Sequence, residues 1–214
     1  MEGALKKIFG GHDALRDALF ALGPEGFLFE RYLAGLLAAL GYETELPDEY
    51  QGSCVKHEVD IAATKDGKMF AIEAKFRNSQ NDTVHLKDVM ASYARYLDLL
   101  DGAALNLCPR FAEFWIVTNN AFSERAAQFG RCKGMKLIGW EFPDRANGLM
   151  AMIDRLERYP VTLLRGLTKT ELFVFAKAGI MTCHDLSLRE PSETAHRTGL
   201  SQSRVEELVE AAGG

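Results

Sequence analysis

The sequence predicts an α/β fold: a mixed sheet flanked by helices, followed by a small all-α C-terminal domain. Two observations carry this prediction. Between about residues 55 and 140, β-prone apolar runs alternate with stretches of helical periodicity, the pattern of an α/β layer. Beyond about residue 160 no strand pattern remains, and short helical pieces are separated by glycine-containing turns. The boundaries that follow are an N-terminal helical segment over 1–23, an α/β domain over 24–159 and a helical module over 160–214.

The elements follow in order. A short amphipathic segment precedes a break at Gly23-Pro24. Residues 26–40 read as a helix because Phe29, Leu33, Leu36, Leu37 and Leu40 recur at helical spacing, and Gly41 ends it. Residues 42–46 suit a short strand, and the polar, turn-rich 47–53 a loop. The runs 55–64 and 69–76 flank Lys65-Asp66-Gly67-Lys68, and Asp-Gly between β-prone runs is a strong hairpin signal. A long helix is predicted over 83–100, with Leu86, Val89 or Met90, Tyr93, Leu97 and Leu100 along one face. Residues 113–118 (EFWIVT) form a buried strand, 123–132 a helix, 135–140 a strand and 146–159 a helix. Helical pieces are then predicted over 168–178, 191–198 and 201–212.

The chain has 214 residues, 47% hydrophobic and 26% charged, a balance that supports a sizeable core. No stretch approaches the roughly 20 apolar residues that span a bilayer, and the N-terminus lacks a signal-peptide pattern, so a cytoplasmic protein with no membrane partner is expected. Cys54, Cys108, Cys132 and Cys183 are scattered without a C-x-x-C pair, as expected of free thiols rather than a zinc site. The net charge of −5 shows no basic excess of the kind that marks a strongly basic nucleic-acid binder.

The chemistry lies in the hairpin. Asp60 sits in His57-Glu58-Val59-Asp60-Ile61, and across the turn lies Ile72-Glu73-Ala74-Lys75-Phe76. Side chains alternate along a strand, so Glu73 and Lys75 emerge on one face, and antiparallel pairing brings Asp60 near them. An exposed strand would carry Glu73 and Lys75 as a solvated ion pair worth less than about 1 kcal/mol. However, the flanking residues Met-Phe-Ala-Ile and Phe are apolar on both faces, which marks an internal strand, where charge is costly unless it faces a site. Two acids and a lysine match what phosphodiester hydrolysis requires. Hard oxygen ligands hold a divalent cation, and a nearby cationic side chain stabilises the developing charge. Glu30, beside the apolar stripe of the first long helix, is a further candidate ligand.

In this order (helix with Glu30, strand with Asp60, hairpin, Glu73-x-Lys75) the chain resembles the PD-(D/E)XK nuclease superfamily, and within it Mrr-like restriction endonuclease domains. Residues 27–42, the segments His57-Glu-Val-Asp60-Ile-Ala-Ala and Phe70-Ala-Ile-Glu73-Ala-Lys75-Phe, and Trp115-Ile-Val-Thr118-Asn119 carry the similarity, over roughly residues 24–158. The resemblance implies a restriction-endonuclease-like fold and a metal-dependent endonuclease acting on DNA. In that role Asp60 and Glu73 hold Mg²⁺ (Mn²⁺ substituting), Lys75 is the catalytic cation and Glu30 a helper. Many such nucleases cut as dimers, so a homodimer is compatible with it. Val59 stands where the motif's proline would be, and the chain has no P-loop.

Arg77, Lys87 and Arg95, on or near the helix after the hairpin, are candidate phosphate contacts, although a solvated helix face explains them equally. The C-terminal segment resembles a helix-hairpin-helix module. Gly199, Leu200 and Ser201 would present backbone N–H groups to a DNA phosphate, with Arg204 nearby; a helical cap or protein-docking module is the alternative.

Overall fold

The computed structural model describes residues 11–213 apart from 25 and 48. The elements are α1 (His12–Phe20), α2 (Gly26–Ala39), β1 (Glu43–Glu45), β2 (Tyr50–Gln51), β3 (Lys56–His57), β4 (Ile61–Lys65), β5 (Lys68–Ala74), α3 (Leu86–Ala104), β6 (Phe111–Val117), α4 (Glu124–Cys132), β7 (Lys136–Ile138), α5 (Leu149–Leu156), α6 (Lys169–Lys177), α7 (Cys183–Ser187), α8 (Pro191–Thr198) and α9 (Gln202–Gly213). They form two compact units, one of Leu33–Met152, the other of the described residues up to Tyr32 together with those from Ile153 onward.

The Leu33–Met152 unit holds a five-stranded mixed sheet of order β1-β4-β5-β6-β7. β1, β4 and β5 are antiparallel neighbours, whereas β5, β6 and β7 run parallel. The β4–β5 hairpin turns through Asp66 and Gly67, both at positive φ (51° and 70°), the conformation that makes Asp-Gly a two-residue hairpin turn. The parallel steps need crossovers, and α3 and α4 supply them.

Alternation along β5 sorts its side chains. Ala71, Phe114 and Ile116 join Val89 and Leu99 of α3 and Ala126 and Ala127 of α4 in one core layer. On the other face Tyr42 packs edge to face on Phe70 and Trp115, which are tilted against each other, with ring centroids 5.3–5.7 Å apart. Leu33, Leu36 and Leu37 of α2 gather there with Val117, Ile138 and Leu149. β5, flanked by a strand on each side, is the internal strand that the apolar run predicts.

The segment 47–57, expected as a loop followed by a strand, contains the two-stranded sheet β2–β3 instead, with Tyr50 opposite His57. It is fastened to α3 through Asp98. That carboxylate accepts from the Cys54 amide (2.8 Å) and the Val55 amide (3.3 Å), and His57 Nε2 lies 2.7 Å from it. Partial withdrawal from water opposes the charge on Asp98, but the hydrogen bonds from His57 and the two amides outweigh it and hold the carboxyl down at about 2. A group with a depressed folded pKa stabilises the fold above its unfolded value, ~3.9, and loses that contribution as pH falls toward 2. The stability gap between wild type and Asp98→Asn is therefore expected to be constant above pH ~4 and to close between ~4 and ~2. A gap unchanged across that range in urea titrations would show that the charge of Asp98 stabilises nothing.

The same crossing demands glycine on α3. A Cβ on Gly102 would lie 2.8 Å from the Gln51 carbonyl oxygen and 2.8 Å from the Gly52 carbonyl carbon. Gly102→Ala gains about 1 kcal/mol of helix propensity, but backbone cannot yield as a side chain tip does, and overpacking costs about 1–3 kcal/mol. A net loss of about 1 kcal/mol in urea denaturation is expected; a gain would mean that the loop moves freely.

In the other unit, Tyr32 donates its hydroxyl to the Arg158 carbonyl (2.7 Å), and Thr162 donates to the Ala18 carbonyl (2.6 Å). His12 Nε2 lies 2.8 Å from Asp154. The C-terminal helices begin with well-formed caps, Thr168 to Glu171 on α6 and Thr182 to Asp185 on α7. The short helix α7 falls where no helix is expected from periodicity, since five residues give too little pattern.

Candidate active site

The hairpin ladder ends at the pair Ile61 and Ile72, and Asp60 stands at a bend immediately before β4. Glu73, next along β5 after Ile72, faces the α3 side of the sheet with Ala71. The Ala74 amide donates to Asp60 Oδ2 at 2.7 Å, fixing the aspartate beside β5. Lys75, two residues on from Glu73, shares that face.

Glu73 is only 3% exposed and both its oxygens are engaged. Lys75 Nζ contacts Oε1, and Arg95 Nη1 donates to Oε2 at 2.7 Å. An isolated buried carboxylate would be expensive, and two cations offset that cost. Arg95 projects from α3, which covers this face of the sheet, and also approaches the Glu58 carbonyl at 3.4 Å. The arrangement is a buried acid clamped by two cations that remain a quarter to a third exposed (25% and 30%), with a second acid bonded to the amide of the next residue.

The end of β6 holds the lysine's backbone. The Lys75 amide donates to the Val117 carbonyl at 2.8 Å, and Thr118 Oγ1 donates to the Lys75 carbonyl at 2.7 Å. Asn119 then pairs with both backbone groups of Arg77, accepting from its amide (2.8 Å) and donating to its carbonyl (2.9 Å). Asn120 donates to the carbonyls of Ser79 (2.9 Å) and Gln80 (3.1 Å). Thr118, Asn119 and Asn120 are all buried, and together they fix the chain that leaves the site. Sequence reasoning gave none of the three a role. The available signal is an abrupt polar triplet straight after an apolar buried strand, where polar side chains need partners.

The remaining candidates are placed as follows. Arg77 is committed to acids, with Nη2 2.5 Å from Asp88 and Nε 3.6 Å from Asp82. Lys87 is exposed at the start of α3, whereas Arg95 reaches Glu73. Tyr93 and Tyr96 pack against the core, edge to face on Phe129 and tilted on Phe114, as half-core aromatics. Glu30 is half-buried on α2 and falls in the other unit, its Oε1 3.3 Å from the space a Gly26 Cβ would fill. In the C-terminal region Gly199 caps α8 in the left-handed conformation (φ 74°), and the Ser201 hydroxyl accepts from the Arg204 amide at 3.3 Å. Arg204 itself is bound to Glu171 and Glu207 (each 2.7 Å) and to the Gly166 carbonyl (2.7 Å).

The comparisons with known proteins bear on this geometry. The restriction endonuclease family of Mrr catalytic domains matches residues 24–141, more than half of the chain and the whole of the hairpin. The chain belongs to that family. An AF1548-like C-terminal domain matches residues 159–213. A protein of Archaeoglobus fulgidus that carries no described function is 35% identical over 177 residues, covering 83% of this chain and 95% of its own. The crystal structure of AF1548, itself a protein of unknown function, superposes with a TM-score of 0.77 at 32% identity, covering 88% of this chain and 97% of that one. The DNA modification-dependent restriction endonuclease AspBHI matches 78% of this chain and 39% of its own, at 17% identity and a TM-score of 0.42. The mixed sheet with flanking helices is thus a restriction-endonuclease-like fold, and a nuclease-type enzyme acting on DNA is what that family membership supports. Among the described residues no helix is long and apolar enough to cross a membrane.

Proposed function

We propose that this protein is a metal-dependent endonuclease that hydrolyses DNA phosphodiester bonds, in restriction or DNA processing. The observation that carries the reading is a buried Glu73 joined to Lys75 at the end of an internal strand, with Asp60 bonded to the amide of the residue between them. In open α/β sheets, ligands bind beyond the carboxyl ends of the parallel strands, which is where this cluster stands.

The donor set fits a hard divalent cation. Among the described residues no three His, Cys, Asp or Glu side chains form a metal-ligating group, but Mg²⁺ keeps several waters and is commonly held by one or two carboxylates. Asp60 and Glu73 would hold Mg²⁺, or Mn²⁺ in its place, with Glu73 yielding an oxygen that Lys75 or Arg95 now engages. When bound there, the ion would neutralise charge on the phosphate and ease deprotonation of a water. Lys75, its backbone fixed on both sides by β6, orients the attacking water or stabilises the charge that develops on the phosphoryl oxygens. Arg95 holds Glu73 in place through its bond to Oε2. The Gly199-Leu200-Ser201 turn supports a helix-hairpin-helix-like reading of the C-terminal region, in which backbone N–H groups rather than Arg204 would contact DNA. A homodimer cutting both strands, in the cytoplasm, completes the proposal.

Plasmid cleavage with Mg²⁺ or Mn²⁺, with and without EDTA, tests it on unmodified, methylated and branched DNA. Nicking or linearisation that EDTA abolishes is the expected result. Absence of cleavage on all three substrates, at enzyme equimolar with DNA, would leave a nuclease fold that binds without turnover.

A further inference from the structure

The outward face of α3 carries an apolar stripe that nothing in the described chain covers. Lys87, Ala91, Ala94, Leu97 and Asp101 recur three or four residues apart with Met90 beside Ala91, and all six are exposed, Met90 at 48% and Leu97 at 43%. The opposite face of the helix, with Val89 and Leu99, is buried against the sheet and α4. Exposed apolar residues scattered singly need no explanation, but a continuous stripe along a 19-residue helix does. Val55, 56% exposed, extends the stripe sideways, since its amide is bonded to Asp98 on the same helix.

We propose that this face is a two-fold interface at which α3 packs antiparallel on the α3 of a second copy, with the axis at Ala94. The stripe is complementary to itself in that register. Ala94 meets Ala94 of the second copy, so the backbones approach closely at the centre. Ala91 meets Leu97 of the second copy, small against large, on both sides of the axis. Lys87 meets Asp101 of the second copy twice, which closes each end with opposite charges. Met90 meets the neighbourhood of Asp98, where Val55 stands. A parallel pairing of the two helices would instead set Lys87 against Lys87 and Asp101 against Asp101. An isologous contact of this kind closes after two copies and forms no fibre.

The contact is small. A helix of 19 residues is about 28 Å long and about 10 Å across, of order 300 Å² per copy. Stable complexes bury about 800 Å² per partner, so this dimer dissociates on dilution. Arg95, next to Ala94 in sequence, is the residue that reaches Glu73, so one helix would carry both the axis and one arm of the clamp. The dimer itself stands or falls independently of catalysis.

Sedimentation velocity of the full chain from ~1 to ~500 μM tests the proposal. Wild type is expected to pass from one chain to two across that range. Ala94→Asp sets two carboxylates against each other at the axis and is expected to stay monomeric throughout, with an unchanged circular dichroism spectrum because Ala94 is exposed. Lys87→Glu creates two like-charge pairs and is expected to weaken association about tenfold. Lys87→Glu combined with Asp101→Lys restores opposite charges and is expected to return association to within about threefold of wild type. A wild type that is monomeric at ~500 μM would overturn the proposal. So would an Ala94→Asp variant that dimerises like wild type, or a double variant weaker than Lys87→Glu alone.

Discussion

Lys75→Ala is expected to lower the rate of DNA cleavage by about 10²–10³-fold while leaving the fold intact. Removing a single charged or hydrogen-bonding group that stabilises transition-state charge costs that much in enzymes of known mechanism. The fold should survive because Glu73 keeps its bond to Arg95 and because the Lys75 ammonium is a quarter exposed. The backbone bonds to Val117 and Thr118 need no lysine side chain. The measurement is single-turnover cleavage of a substrate that wild type cuts, beside a thermal melt of both proteins. A variant that cuts within about threefold of wild type, with an unchanged melt, would reduce Lys75 to a counter-ion for Glu73.

Glu73→Ala is expected to abolish cleavage and also to destabilise the protein by about 2–3 kcal/mol. The carboxylate is 3% exposed and balances two cations. Removing one partner from a fully buried pair costs about 3–5 kcal/mol, because the other is left charged and dry. Lys75 and Arg95 are each partly exposed and can turn toward water, which puts the expected loss below that range. Glu73→Gln keeps the volume and should lose less stability with the same loss of activity. Urea denaturation separates the two variants. If Glu73→Ala melts and denatures like wild type, the cluster is a solvated surface group and the site is misassigned.

Much of this was legible from residue order. Asp66-Gly67 between β-prone runs located the hairpin, and strand alternation alone predicted that Glu73 and Lys75 share a face. The apolar run around Glu73 predicted an internal strand, and β5 lies between β4 and β6. Arg95 shows where such reading ends. Its sequence supports a phosphate contact and a solvated helix face equally, because the spacing of α3 records which residues share a face and not what the facing strand presents. The same holds for His57, whose partner Asp98 lies 41 positions away. The β2–β3 pair escaped because two residues per strand are too few for a period to show, and the polar triplet at Thr118 escaped because its partners are backbone atoms of another segment.

The parallel pairing of β5 with β6 sets the order in which this site assembles. The β4–β5 hairpin joins neighbours through a two-residue turn, and such hairpins form within about 1–10 μs. The β5–β6 ladder, with Glu73 opposite Ile116, must wait for the chain between them to close through α3, and non-local pairing is slow. Asp60 is therefore expected to meet the Ala74 amide before Arg95 packs on Glu73. During that interval Glu73 stands in water with Lys75 beside it and without Arg95. α3, which brings Arg95, acts in folding as the cover under which Glu73 is buried.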